Sequence, residues 1–246
     1  MFLATSRFAL LVLGCIAPRT FILVAGASAN PACPGDTVYC DYFDRQASSD
    51  SAGSCYFAGY DITDASYDLV QGTFRVGVQQ LGPHKKIIAG VDAGDEYRVV
   101  GLPPGTNLSF VAELRLRGSL SGGCFRYGYA FEGWASATLR EGDSNEASFE
   151  ARTRYVCDET TLTCCVEEVP LDRTLQVSIQ RSVDEVFTLR FGLSCTRLRG
   201  FGLLLAQLTF SGLPPGASIV SCQGYRQDFV TAALPMSWGQ LKLRYR

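Results

Sequence analysis

The chain has 246 residues, a formal charge of −2, and 47% hydrophobic against 19% charged residues. That apolar content excludes an intrinsically disordered chain, and the absence of a basic excess argues against a nucleic-acid binder. Ten cysteines beside a single histidine, with no CxxC pair, point to disulfides and an oxidising compartment rather than to zinc.

Residues 1–29 read as a signal peptide. Arg7 precedes the apolar run FALLVLGCIA (8–17), PRT (18–20) interrupts it, and FILV (21–24) follows. Ala27, Ser28 and Ala29 form an A-x-A site, which places cleavage before Asn30. A lipoprotein signal through VLGC (12–15) is the alternative. Nine cysteines remain after cleavage, an odd number. No later stretch reaches the ~18 apolar residues of a membrane helix. The mature chain is therefore expected to lack a transmembrane helix and to be secreted, extracellular or held at the cell surface.

Residues 30–66 show no clear alternation and are expected to form an irregular, cysteine-containing segment. Cys33 and Cys40 bracket a Pro-Gly-Asp turn and are expected to pair locally. Asp41, Asp44, Asp61 and Asp64 are spread through this region, and oxygen ligands of this kind can hold calcium. Their spacing does not match a D-x-D-x-D-G loop. Capped turns on a solvated surface explain them more simply, and no other cofactor is expected.

From residue 67 to 226 the pattern is that of strands. Leu69–Val78 is one, with Gly72 as a bulge. Ile87–Val91 is short, Asp92–Asp95 is a turn, and Tyr97–Val100 leads to the pentapeptide GLPPG (101–105). Leu108, Phe110, Ala112, Leu114 and Leu116 then alternate with Ser109, Val111, Glu113, Arg115 and Arg117. One core face and one polar face are the mark of an antiparallel sandwich. After a loop at 118–123, Phe125, Tyr127, Tyr129 and Phe131 share a face of a strand running to about Leu139. Trp134 falls on its other face with Arg126, Glu132 and Arg140. Phe149, Ala151, Thr153 and Tyr155 continue the alternation, as do Leu175–Ile179 and Phe187–Cys195.

Residues 203–225 organise the rest: a strand, a second GLPPG (212–216), and a resumed strand through Ile219, Val220 and Cys222. Residues 227–236 read as a spacer. Residues 237–246 read as a last strand, or as a basic and apolar tail directed at an anionic envelope. By spacing, Cys157 pairs with Cys164 or Cys165, Cys195 with Cys222, and Cys55 with Cys124. Turns every 8–15 residues and no convincing helix predict an all-β fold, an antiparallel, disulfide-braced sandwich of jelly-roll type.

Chemistry is sparse. His84 sits in a polar turn beside Lys85 and Lys86, and no nucleophile, metalloprotease or phosphate-loop motif is present. Glu113, Glu132 and Glu150 each have arginines nearby, so cross-strand ion pairing accounts for them before glycoside hydrolysis does. No catalytic residue is assigned. Trp134, with Arg126 and Glu132, is the candidate ligand platform, because a tryptophan on a polar face suits the C–H face of a sugar; a structural role is the simpler alternative, the ring covering a gap between sheets or being turned inward by a bulge at Gly133.

GLPPGASIVSCQGY (212–225) and SWGQLKLRYR (237–246), with YRVVGLPPGTNLSFVAELRLRGSLSGG (97–123), resemble uncharacterised secreted proteins of environmental bacteria. The resemblance covers 97–246. It implies a β-sandwich and brings no activity and no site residue. The expectation is a secreted, non-enzymatic structural or binding module, with a glycan or a cell-envelope component as partner and no nucleic acid. The alternative is a carbohydrate-binding protein or glycan-active enzyme on a jelly-roll scaffold.

Overall fold

The computed structural model describes residues 33, 35–41, 44–58, 61–80, 86–126, 133–143, 145–197 and 200–230. Residues 1–29, expected to be a signal peptide, and His84, Tyr127, Phe131, Glu132 and residues 237–246 lie outside them. The strands are β1 (Asp36–Asp41), β2 (Asp44–Ser48), β3 (Ala52–Ala58), β4 (Asp61–Asp68), β5 (Thr73–Gln80), β6 (Ile87–Val100), β7 (Asn107–Ser121), β8 (Cys124–Arg126), β9 (Gly133–Glu141), β10 (Asn145–Arg152), β11 (Arg154–Asp158), β12 (Thr163–Glu167), β13 (Val169–Ser182), β14 (Val186–Arg197), β15 (Gly200–Ser211), β16 (Ser218–Ser221) and β17 (Arg226–Asp228). No helix among the described residues is long and apolar enough to cross a membrane.

Two antiparallel sheets pack face to face. The first has the order β10-β9-β14-β6-β1-β2, with β16 also paired to β6 and β17 to β16; the second has the order β13-β7-β15-β5-β4-β3. The small sheet β11-β12-β8 stands apart from both. The alternating rows read from the sequence form the core between the large sheets. Leu114, Leu189 and Leu208 are fully buried, and Phe110, Phe187, Phe191 and Phe210 nearly so. Phe149 is only partly buried, because β10 is an edge strand. Aromatic rings bridge the sheets: Phe74 to Phe191 at 4.9 Å between centroids, Tyr97 to Phe210 at 5.6 Å, and Phe110 to Phe187 at 5.6 Å.

The two GLPPG segments are corners between sheets. The first carries the chain from β6 to β7 and the second from β15 to β16, so each changes sheet. Gly101 (φ +90°) and Gly216 (φ +92°) both take left-handed backbone. The corners also touch: a Cβ on Gly101 would stand 2.4 Å from the Gly216 carbonyl oxygen. The strand, GLPPG and resumed strand expected at 203–225 are present, but they form a crossing between sheets, since the strand after Pro215 pairs with β6 and not with β15.

Other expectations are corrected. The segment 30–66 is not irregular: β1, β2 and β3 lie within it and β4 begins in it. Its strands are short and polar on one side, which weakens the periodic signal. The turn expected at Asp92–Asp95 is continuous strand, because Asp92 points outward and the inward Asp95 carboxylate is satisfied by backbone N–H groups. Gly72 closes the β4–β5 turn with φ +62° and is not a bulge.

The disulfides are Cys33–Cys222, Cys40–Cys55, Cys124–Cys165 and Cys157–Cys164. Of the expected pairs, only Cys157–Cys164 forms. Cys40 sits well inside β1, and strand extends ~3.3 Å per residue, so Cys33 is carried away from it. Cys195 is not in a disulfide. It is level with Ala89 on β6, whereas the Cys222 N–H bonds the carbonyl of Glu96. Seven strand residues, ~23 Å, separate those levels, and a disulfide spans less than ~7 Å between Cα atoms.

Near the Cys33–Cys222 bond two carboxyl groups are buried: Asp36 is 1% exposed and Asp95 0%. Asp95 accepts the N–H groups of Glu96 (2.8 Å) and Gln223 (3.2 Å). Asp36 Oδ1 accepts the Gly94 N–H at 3.0 Å, while Oδ2 finds no partner among the described residues. Burial, with the charges of Asp95 and Asp50 beyond it, pushes the Asp36 carboxyl up to about 7. Burial likewise raises Asp95 to about 6, against the hydrogen bonds it accepts.

Two outcomes follow for stability. Leu114→Ala removes a fully buried side chain from the middle of β7 and is expected to cost about 2–5 kcal/mol in denaturant titration. The folded state holds the Asp36 proton to higher pH than the unfolded chain does. Its contribution is therefore complete at low pH and is lost as pH rises through about 7. Asp36→Asn is expected to flatten the fall of melting temperature between mildly acidic and neutral pH; an unchanged slope would contradict this assignment.

Candidate functional site

The outer face of the first sheet carries a trough built from small residues. Across β10, β9, β14, β6 and β1 the registers place Glu150, Ser136, Ser194, Gly90 and Tyr39 in one row. The adjoining row is Ser148, Thr138, Gly192, Asp92 and Thr37. Two hollows of about 530 and 320 Å³ share Asp92, Thr138 and Gly192. Together they run along β9 from Trp134 to Arg140, ~20 Å at ~3.3 Å per residue.

Glycine makes the trough by letting side chains lie down. A Cβ on Gly90 would meet Cζ of Tyr39 at 1.9 Å, so the Tyr39 ring crosses directly over Gly90. Its hydroxyl reaches a hydrogen bond with Ser194, and the Arg45 guanidinium stands 5.0 Å from its ring centroid. A Cβ on Gly192 would stand 2.6 Å from Thr138 Oγ1 and 3.2 Å from Asp92 Oδ1. Two polar side chains therefore converge over that glycine. Burial raises the Asp92 carboxyl, and the charge of Arg45 offsets part of that rise.

Trp134 closes one end, half-buried on the outer face of β9. Its side chain hydrogen-bonds Glu150, and that bond helps to hold the Glu150 carboxyl below its usual range after the larger effect of Arg152. The tryptophan thus has an oriented ring between two hollows, because it also lines a third, of about 350 Å³, with Lys86 and Tyr155.

The other expected site residues are not gathered here. Arg126 lies on β8 in the small sheet, opposite Thr163, so the single strand expected from Phe125 to Leu139 is two strands in different sheets. Glu132 lies outside the described residues. Among the four aspartates considered for calcium, Asp41 faces Asp44 across β1 and β2, while Asp61 and Asp64 lie on β4 in the other sheet. Asp64 is bonded by Arg75 at 2.5 Å. Among the described residues one group of metal-ligand atoms converges, Cys33, Asp95 and Cys222, but its two sulfurs are bonded to each other and offer no thiolate. Glu113 and Glu150 lie on different sheets, and Glu113 accepts from Gln176 and Ser211 at 3.0 Å each.

Tyr39, Gly90 and Gly192 were missed by sequence reasoning. The available signal was an isolated glycine inside an extended run, which marks close approach of another group.

Gly90→Ala is expected to displace the Tyr39 ring and to cost about 1–3 kcal/mol. In a double-mutant cycle, removing the ring with Tyr39→Ala should make the added methyl nearly neutral, and strict additivity would refute the contact. Comparison of the chain with protein-family models, with curated proteins and with solved structures finds no match in any of the three.

Proposed function

We propose that the chain is a secreted, non-enzymatic binding module that takes a saccharide in the Trp134 trough. The observation that carries the reading is the half-exposed, hydrogen-bonded Trp134 ring at the head of a glycine-floored trough lined by Ser136, Thr138, Asp92 and Arg45. A sugar ring presents C–H bonds to an indole face and hydroxyls to such groups at its edge. Disulfide bracing is compatible with an extracellular setting, and a signal peptide at 1–29 is the proposed route out of the cell. The similarity of 97–246 to secreted bacterial proteins is part of the same proposal.

A non-catalytic role is supported by the disposition of the carboxylates. The inward pair Asp36 and Asp95 is shut away from solvent, and Glu113 and Glu150 lie on different sheets. A glycoside hydrolase needs two accessible carboxyl groups across one bond.

A glycan array probed with the mature protein, with and without calcium, tests the proposal. Retention of a saccharide class without a calcium requirement is expected. Trp134→Ala should weaken it about tenfold or more, a loss of ~1.4 kcal/mol. An array with no retained glycan, or binding indifferent to Trp134, would overturn the reading.

A further inference from the structure

A hollow of about 740 Å³ is on the other sheet, away from the trough. It lies over a cross-strand row in which Leu205 of β15 is flanked by Arg75 of β5 and Arg117 of β7. Arg115 stands one row along, opposite Gln207. The lining is mainly apolar, and Leu205 is 37% exposed. Its lining holds three arginines and one carboxylate, Asp68; Arg75 is already paired with Asp64, so the positive charge of the rim comes from Arg115 and Arg117 around an apolar floor.

The small sheet carries the converse. All of β11 is exposed, Val156 is 63% exposed, and Leu162 at the β11–β12 turn is 58% exposed. Leu162 also has φ +50°, a left-handed backbone that costs a bulky residue on the order of 1 kcal/mol. The turn is rigid. Asp158 Oδ1 accepts the Thr160 N–H at 2.9 Å, Oδ2 accepts the Thr161 hydroxyl at 2.9 Å, and Cys157–Cys164 and Cys124–Cys165 staple the three strands. Asp158 and Glu159 give the tip two negative charges, and Glu167 and Glu168 stand at its base.

We infer that the chain assembles head to tail, the Leu162 tip of one copy seating on Leu205 in the arginine-rimmed hollow of the next. The fit is one of charge and of polarity. An acidic tip with an exposed leucine meets a basic rim with an exposed leucine. The tip belongs to the small sheet and the hollow to the second large sheet, so it is a neighbouring copy that brings the two together. The two surfaces differ, so the contact is heterologous and leaves a tip and a hollow unused at the ends of each assembly. The patch is small, which places it among weak interfaces, and its charges make it sensitive to salt.

Sedimentation velocity on the mature protein over a concentration series, up to ~1 mM for a weak interface, tests this. Average mass is expected to rise past that of a dimer and to fall back in high salt. The tip variant Glu159→Lys with Leu162→Asn keeps a residue that tolerates left-handed backbone. The groove variant is Arg117→Glu with Leu205→Ser, both exposed positions. Each alone should be monomeric with an unchanged melting temperature. Mixed in equal amounts they should form a one-to-one dimer and nothing larger, because each retains one working surface. Should the groove variant fail to fold, Arg115→Glu alone replaces it. A wild-type protein that stays monomeric throughout overturns the inference. So does assembly unaffected by both variants, or a mixture that grows past the dimer.

Discussion

The contact between the two GLPPG corners is the constraint on which the sandwich depends. Gly101 and Gly216 approach so closely that neither a side chain at 101 nor a shifted loop at 216 fits. With that contact made, Val100 pairs with Ser218, and β16 is held against the end of β6. The chain thereby enters the second sheet through one corner and leaves it through the other at the same place. Tyr97, Phe110, Phe187, Phe210 and Tyr225 meet beneath the corners as one aromatic cluster. Such rings contribute both buried area and about 0.5–1.5 kcal/mol per well-placed pair.

Further along β6 lie the polar groups that a hydrophobic interior tolerates least. Asp95 and Tyr97 on β6 and Asp36 on the neighbouring β1 are all buried. Asp95 is accommodated because the chain after β16 turns its N–H groups toward it, through Gln223. Asp36 has one such donor, from Gly94, and is kept neutral over a wider pH range instead. Gln227 serves a related purpose nearby. Its side-chain amide accepts from the Phe210 N–H and donates to the Phe210 carbonyl, completing a ladder where no strand follows.

Much of the fold was legible. The inward rows through Phe110–Leu116, Phe187–Leu193 and Leu204–Phe210 are buried as their alternation implies, since side-chain direction in a strand follows from backbone geometry alone. The direction of Trp134 was left open, because Gly133 could have turned it inward; the alternation of β9 itself places it outward. What was not legible depended on partners distant in sequence. Nothing local says that Asp95 can sit inside a strand, because its donor at Gln223 lies 128 residues away. Cysteine spacing predicted loops, whereas three of the four disulfides join residues according to sheet geometry. Tyr39 escaped notice because its role arises from Gly90 on a different strand. The two GLPPG segments were recognised as breaks, but a break does not state which sheet the chain enters next.

The Cys33–Cys222 bond spans 189 residues and encloses both large sheets except β17. A pull applied upstream of Cys33 and downstream of Cys222 is carried from one sulfur to the other. It bypasses every backbone hydrogen bond in between. Unzipping of β-strands, the usual way in which a sandwich yields under tension, is then closed off for everything between those cysteines. The load-bearing element becomes a single covalent bond. A molecule pulled from outside those two cysteines would keep the strand register between them at forces that unzip an uncrosslinked sandwich.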